Sequence, residues 1–185
     1  NGFFKMIFHL PRPYWMDARV KVLAQETSYG LPSGHAQDAT TVWFFIAYTL
    51  RKRWAWIAAL ALVLLISFSR LYLGVHFPMD VMGGWIIGGI FLAAYLWIEP
   101  TIKDRLLRLG MWGQIGASLG AALFVILLGV AAQAAIASSP DAATWSAFAK
   151  DARSLETFVS RAGALFGAGA GLAMMYHGAR FNAGG

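Results

Sequence analysis

Between Leu109 and Pro140 the chain runs without a single charged side chain. A helix needs about 20 mainly apolar residues to cross a ~30 Å hydrocarbon core, and this run is longer, so its ends should lie outside the core. No water-soluble globule of this size has a place for such a segment. Composition makes the same point for the whole chain. Of 185 residues, 58% are hydrophobic and 13% charged, and the mean hydropathy is +0.57; soluble domains average roughly 45–50% apolar and about 25% charged. A cytosolic globule, a disordered tail and a free-standing nucleic-acid binder are excluded, the last despite a net charge of +6. The absence of cysteine removes disulfides, thiolate metal sites and cysteine nucleophiles. The chain reads as an integral membrane protein.

Four further segments have span character. Gly34–Leu50 is short but sufficient, Trp54–Ser69 lies between Arg53 and Arg70, Val81–Ile98 is expected to stop at Glu99-Pro100, and Thr157–Tyr176 carries Arg161 near its start, where the side chain can snorkel to the interface. The fold expected is an all-α polytopic bundle with about five spans, forming a single membrane-embedded domain over residues 1–185. Gly84 and Gly88, Gly116 and Gly120, and Gly163, Gly167 and Gly171 are spaced by four, as close packing between helices requires. Ser138–Ser154 reads as a polar hairpin with a short interfacial helix. Asn1 is not an initiator methionine, and we expect membrane helices upstream of it.

Hydrophobicity does not explain three polar clusters: Lys5 with Arg12-Pro13, then Pro32-Ser33-Gly34-His35, then Ser69-Arg70 with His76 and Asp80. Each stands at the end of a span, and ionisable residues gathered at membrane spans usually mark function. Ser33 is a good N-cap, so the N–H groups of Gly34 and His35 would point from the positive end of a helix toward an anion. If the clusters converge, Lys5, Arg12 and Arg70 repel one another unless they share a highly charged anion. Phosphate fits, because guanidinium forks match its oxygens. His76 can then attack phosphorus, Asp80 can hold the other ring nitrogen, and His35 can protonate the departing oxygen. His9 has no partner at a meaningful spacing, Asp38 reads as a helix-face residue, and Asp17, Arg19, Lys21 and Glu26 read as solvated loop charges.

At these residues the chain resembles the type-2 phosphatidic acid phosphatase family, which shares its site with vanadium haloperoxidases. The signature K-x6-R-P, P-S-G-H and S-R-x5-H-x3-D is met at Lys5…Arg12-Pro13, Pro32-Ser33-Gly34-His35 and Ser69-Arg70…His76…Asp80. Every position matches in type, spacing and order. The resemblance implies that Lys5, Arg12, Ser33, Gly34 and Arg70 bind phosphate, and that His76 becomes a phosphohistidine supported by Asp80. His35 would serve as acid and then base. It implies a lipid phosphate monoester or diphosphate as substrate, membrane lipids as surroundings, no cofactor and no metal. A lone Asp80 beside three cations agrees, being a poor magnesium site. Residues 109–185 carry no motif of this kind.

Two other functions compete: a phosphotransferase that passes the phosphoryl group to a second lipid, and a non-catalytic membrane protein that only binds lipid phosphate. A soluble haloperoxidase is excluded by composition. Charge placement predicts the sidedness. Arg51, Lys52, Arg53, Lys103, Arg105, Arg108 and Arg180 fall on the side away from the motifs, against Arg19, Lys21, Lys150 and Arg153 on the motif side. Loops richer in Lys and Arg stay in the cytoplasm, so the motifs should face out of it. In a bacterial inner membrane that is the periplasmic side.

Overall fold

The computed structural model describes residues Asn1–Gly178; Arg180, counted above for sidedness, lies outside the described residues. Every regular element among them is helical: α1 Gly2–Phe8, α2 Pro13–Met16, α3 Gly34–Leu50, α4 Arg53–Tyr72, α5 Pro78–Leu107, α6 Met111–Ala135, α7 Ser146–Ala152 and α8 Glu156–His177. Four stretches are long and apolar enough to cross a membrane, namely α4, α5, α6 and Ser146–His177. The fifth expected span, α3, has 17 residues, or roughly 25 Å at the helical rise. Apolar side chains point outward, with Leu65 65%, Ile86 61% and Leu127 64% exposed, while Lys5, Arg12, His76 and Asp80 are buried. This inverts the soluble pattern and suits a bilayer.

The chain divides into two compact units: Asn1–Leu96 with Ala135–Arg153, and Trp97–Ala134 with the chain from Ser154 onward. In the first, α3 turns into α4 at Arg51, whose left-handed φ of 52° ends α3 with its N–H on the Ala47 carbonyl. Ala47, Ala55 and Ala59 form the buried seam of that hairpin, flanked by Trp43 and Phe44. α5 lies on α3 through its glycines. A Cβ on Gly84 would sit 2.7 Å from the Ser33 carbonyl oxygen, and one on Gly88 2.7 Å from that of Gln37. Thr41 Oγ1 donates across this seam to the Gly88 carbonyl at 3.2 Å, and Trp85 Nε1 ties α5 to Ser67 of α4 at 2.9 Å. Small residues thus bring the start of α5 against the start of α3, and both carry motif residues. In the second unit α6 meets α8 where Phe158 lies over Gly129 and Ser118 over Gly169.

Two sequence expectations need correction. The third long span does not stop at Glu99-Pro100, since α5 continues through Pro100 to Leu107. Proline removes one hydrogen bond to the carbonyl four residues back, and a helix can survive that loss. That carbonyl belongs to Leu96, where the first unit ends. The glycine stripes of α6 and α8 meet no neighbouring helix among the described residues: beyond each helix's own nearby backbone, no atom lies within 4 Å of a Cβ built at Gly116, Gly120, Gly163, Gly167 or Gly171. The residues used are Gly129 and Gly169, which lie off that spacing. The other expected spans are met at α4, α6 and Ser146–His177, while α3 forms at the expected residues but is not among the helices long and apolar enough to cross a membrane, and the polar hairpin holds the short helix α7.

Candidate active site

Gly74 turns the chain after α4 with a φ of 69°, a conformation that favours glycine, and Pro78 opens α5. Between them His76 is 4% exposed, with Asp80 one turn on. Asp80 Oδ2 accepts from the Phe77 N–H at 2.9 Å and pairs with His76 Nδ1 at 3.1 Å. The same carboxylate therefore caps α5 and holds the imidazole. The Asp80 carbonyl also accepts the Ser33 N–H at 2.8 Å, which locks the α3 N-terminus to that of α5.

Arg12 Nη1 lies 3.2 Å from His76 Nε2. A guanidinium can only donate and a carboxylate can only accept. The ring between Arg12 and Asp80 thus carries its proton on Nδ1 and a lone pair on Nε2. Burial holds His76 neutral, pulling its pKa down to about 4 against the opposing hydrogen bond that Nδ1–H donates to Asp80. No proton has to leave before Nε2 can act as a nucleophile.

Arg12, at 0% exposure, is the hub. Nε donates to the Ser28 carbonyl at 2.6 Å, Nη1 to the Val75 carbonyl at 2.8 Å, and Nη2 to Ser28 Oγ at 3.1 Å and the Tyr29 carbonyl at 3.2 Å. With His76 this engages all five guanidinium N–H groups. Burial lowers the Arg12 pKa, and Glu26, 3.7 Å from Nη2, opposes that shift. Lys5 Nζ donates to the same Tyr29 carbonyl at 2.6 Å. Arg70 Nε reaches Ser69 Oγ at 3.2 Å and Nη1 approaches His35 Nε2 at 3.5 Å. His35 Nδ1 in turn lies 3.9 Å from Glu26 Oε1. Ser33 is the N-cap of α3 as expected, its Oγ accepting from the Ala36 N–H at 3.5 Å.

The three sequence clusters therefore converge. Lys5, Arg12, His76, Asp80, Ser33, Glu26, His35 and Arg70 form one connected set of contacts, and Gly34 sits beside it against the Asn1 amide. Glu26 corrects the sequence reading. It is not a solvated loop charge but a bridge, with one oxygen toward Arg12 and the other toward His35. Its backbone N–H and carbonyl are both held by Tyr14 Oη, at 3.1 and 3.0 Å. Tyr29 and Gly30 were also missed. A Cβ on Gly30 would sit 2.8 Å from the Pro11 carbonyl oxygen and 3.1 Å from Asp80 Oδ2, so this strand of chain passes too close to the carboxylate for a side chain. The only signal for Glu26 was its place in the loop that precedes P-S-G-H. Asp17 and Arg19 are the exposed pair expected of them, and His9 merely ends α1 in a left-handed conformation.

Comparison with known proteins adds a family and several relatives. The PAP2 superfamily model matches residues 1–104, which contain all three clusters. An undecaprenyl-diphosphatase of Sulfolobus acidocaldarius is 40% identical over 75 residues, 40% of this chain and 36% of that protein. Phosphatidylglycerophosphatase B of Bacillus subtilis is 40% identical over 90 residues, 44% of each chain. A lipid A 4'-phosphatase of Bacteroides thetaiotaomicron is 41% identical over 78 residues, 42% of this chain and 35% of that one. The chain thus spans less than half the length of each of these relatives. No solved structure matches it.

Proposed function

The chain belongs to the PAP2 superfamily, and from that premise we propose that it is a membrane lipid phosphatase working through a phosphohistidine at His76. One observation carries the reading. His76 is held neutral between Asp80 and Arg12, with its Nε2 lone pair beside a buried cation. The lone pair forms the N–P bond as the P–O bond to the lipid breaks, and His35 gives its proton to the leaving oxygen. His35 then takes a proton from water, which attacks phosphorus, releases inorganic phosphate and restores His76. Asp80 stabilises the positive charge that the ring gains. Lys5, Arg70 and the α3 N-terminus at Ser33 and Gly34 hold the phosphoryl oxygens. As Nε2 turns to phosphorus, the Arg12 Nη1 proton it had accepted is freed to meet one of those oxygens.

The substrate proposed is a lipid phosphate monoester or diphosphate, with undecaprenyl diphosphate and phosphatidylglycerophosphate favoured by the relatives' names. Phosphate release by the detergent-solubilised protein is the test, measured with these two, phosphatidic acid and a water-soluble monoester. Release from a lipid is expected. A folded protein that releases none from any of them would overturn the proposal, and phosphate appearing on an added lipid acceptor would make it a phosphotransferase.

Turnover is expected to be independent of metal and inhibited by vanadate, which mimics pentacoordinate phosphorus. The charge on the phosphoryl group is met by Lys5, Arg12 and Arg70, while the Asp80 carboxylate is committed to His76 and the Phe77 N–H. Activity that EDTA abolishes and magnesium restores would contradict this.

The site is proposed to face away from the cytoplasm of a bacterial inner membrane, near the outer leaflet. The basic turn Arg51–Arg53 lies at the end of α3 opposite Ser33, and positive loops stay inside. A cysteine introduced at Ala143 should react with an impermeant maleimide in intact cells, and one at Lys103 should not. The reverse pattern would invert the topology.

A further inference from the structure

Tyr29 joins the phosphate-binding cations to a distant part of the chain. Its carbonyl accepts from both Lys5 Nζ and Arg12 Nη2. Its side chain points the other way, and its hydroxyl lies 3.0 and 3.2 Å from the two Asp141 carboxylate oxygens. Asp141 belongs to the segment Ala135–Arg153, which is part of the same compact unit. Arg153 closes the arrangement. Nε donates to Asp141 Oδ2 at 2.7 Å and reaches Tyr29 Oη at 3.2 Å, while Nη1 and Nη2 bind the Ile136 and Ser139 carbonyls at 3.1 and 2.6 Å. The Asp141 side chain is 7% exposed and Tyr29 is fully buried. Burial first, and then Asp141, push the Tyr29 hydroxyl up to about 12, so it remains a donor. Aromatic contacts brace the same junction: Tyr29 meets Trp15 at 6.0 Å and Trp145 at 6.5 Å, and Trp15 stacks on Phe148 at 5.6 Å.

We infer that Asp141, braced by Arg153, is a positioning residue for the phosphate site, acting through Tyr29 on Lys5 and Arg12. The side chain and carbonyl of Tyr29 share one Cα, so pinning the hydroxyl fixes where the carbonyl stands. That carbonyl sets the place of an ammonium and a guanidinium at once. Fixed donors bind an oxyanion better than mobile ones, because no reorganisation opposes binding. The segment after α6, which carries no motif, thereby contributes to the site without touching the phosphoryl group. The roles of Lys5 and Arg12 here rest on the proposed phosphatase reading.

Orthovanadate affinity tests this, measured by calorimetry on the full chain in detergent and therefore independent of turnover. Tyr29→Phe and Asp141→Ala should each weaken it by about tenfold, the range for a perturbed charge-assisted contact. Both should raise KM more than they lower kcat. The double variant should weaken binding no more than the worse single one, since both act on one connection. Asp141→Glu should recover part of the affinity, and Ser146→Ala, exposed in the same segment, should leave it unchanged. Tyr29→Phe keeps ring and carbonyl and is the gentler variant should Asp141→Ala not fold. Unchanged affinity and KM in folded Tyr29→Phe, with only a lower Tm, would mean the contact is merely structural and overturn the inference. Wild-type protein that binds orthovanadate but hydrolyses no lipid phosphate would refute the proposed function and leave this inference standing.

Discussion

Replacing His76 by alanine is expected to remove essentially all phosphate release while leaving the protein folded. In the proposed mechanism the imidazole contributes the atom that forms the N–P bond, and no neighbour can substitute: Asp80 is bound to the Phe77 N–H, and His35 is linked to His76 only through Glu26 and Arg12. The loss should exceed the roughly 10²–10⁴-fold typical of a general acid–base residue. His35→Ala should fall inside that range, because it costs proton delivery rather than the covalent step. Asp80→Asn should also cost several orders of magnitude. An amide can present its NH₂ to Nδ1, which would draw the ring proton to Nε2 and block the attacking lone pair. The three losses should not add, since the residues act as one unit. Phosphate release from a lipid substrate under saturating conditions measures each. More than about a tenth of wild-type activity in His76→Ala would end the phosphohistidine mechanism.

The parts of this site legible in the sequence were those whose chemistry is local. His76 and Asp80 are four apart at a helix start, and Ser33 caps the helix that carries His35; spacing alone states both relations. Uncharged runs showed the approximate limits of the long spans for a similar reason, since the bilayer demands a continuous apolar length, although five spans were expected and four helices are long and apolar enough to cross. What was not legible depends on contacts between distant segments. Glu26 looks like any loop acid until Tyr14 holds its backbone and turns its carboxylate between Arg12 and His35. Tyr29 and Asp141, far apart along the chain, share no period that would announce their hydrogen bond. The Gly84–Gly88 pair packs as read, but the glycine stripes of α6 and α8 do not, for a related reason. Spacing by four shows only that small residues share a helix face, and in α6 and α8 other glycines meet the neighbouring helix. Pro100 was read by its usual effect as a breaker, whereas α5 is continuous there.

Arg12→Lys should be far more damaging than a change that preserves charge would suggest. The guanidinium supplies five N–H groups at fixed angles, and five acceptors receive them: the Ser28, Tyr29 and Val75 carbonyls, Ser28 Oγ and His76 Nε2. An ammonium has three protons converging on one point, so at least two acceptors lose their donor. Ser28 is half-buried and the Tyr29 carbonyl keeps Lys5, but the Val75 carbonyl and His76 Nε2 are buried and have Arg12 as their donor. Each buried group left unpaired costs about 1–3 kcal/mol, and a total near the middle of that range for two is a large share of the ~5–15 kcal/mol that holds a typical domain. Catalysis suffers separately. In the proposed mechanism the hydrogen bond that Arg12 Nη1 shifts from His76 to a phosphoryl oxygen is stronger in the transition state than before it, and removing one such donor typically costs 10²–10³-fold. Arg70→Lys provides the contrast. Among the described residues the Arg70 side chain hydrogen-bonds Ser69 Oγ and approaches His35, so its replacement should lower kcat/KM with little change in Tm. The paired measurement is thermal unfolding and kcat/KM for both variants in one detergent. Arg12→Lys is expected to lose on both axes and Arg70→Lys on the kinetic axis alone. An Arg12→Lys protein as stable as wild type, with kcat/KM within about threefold of it, would show that the hub does not hold the site together.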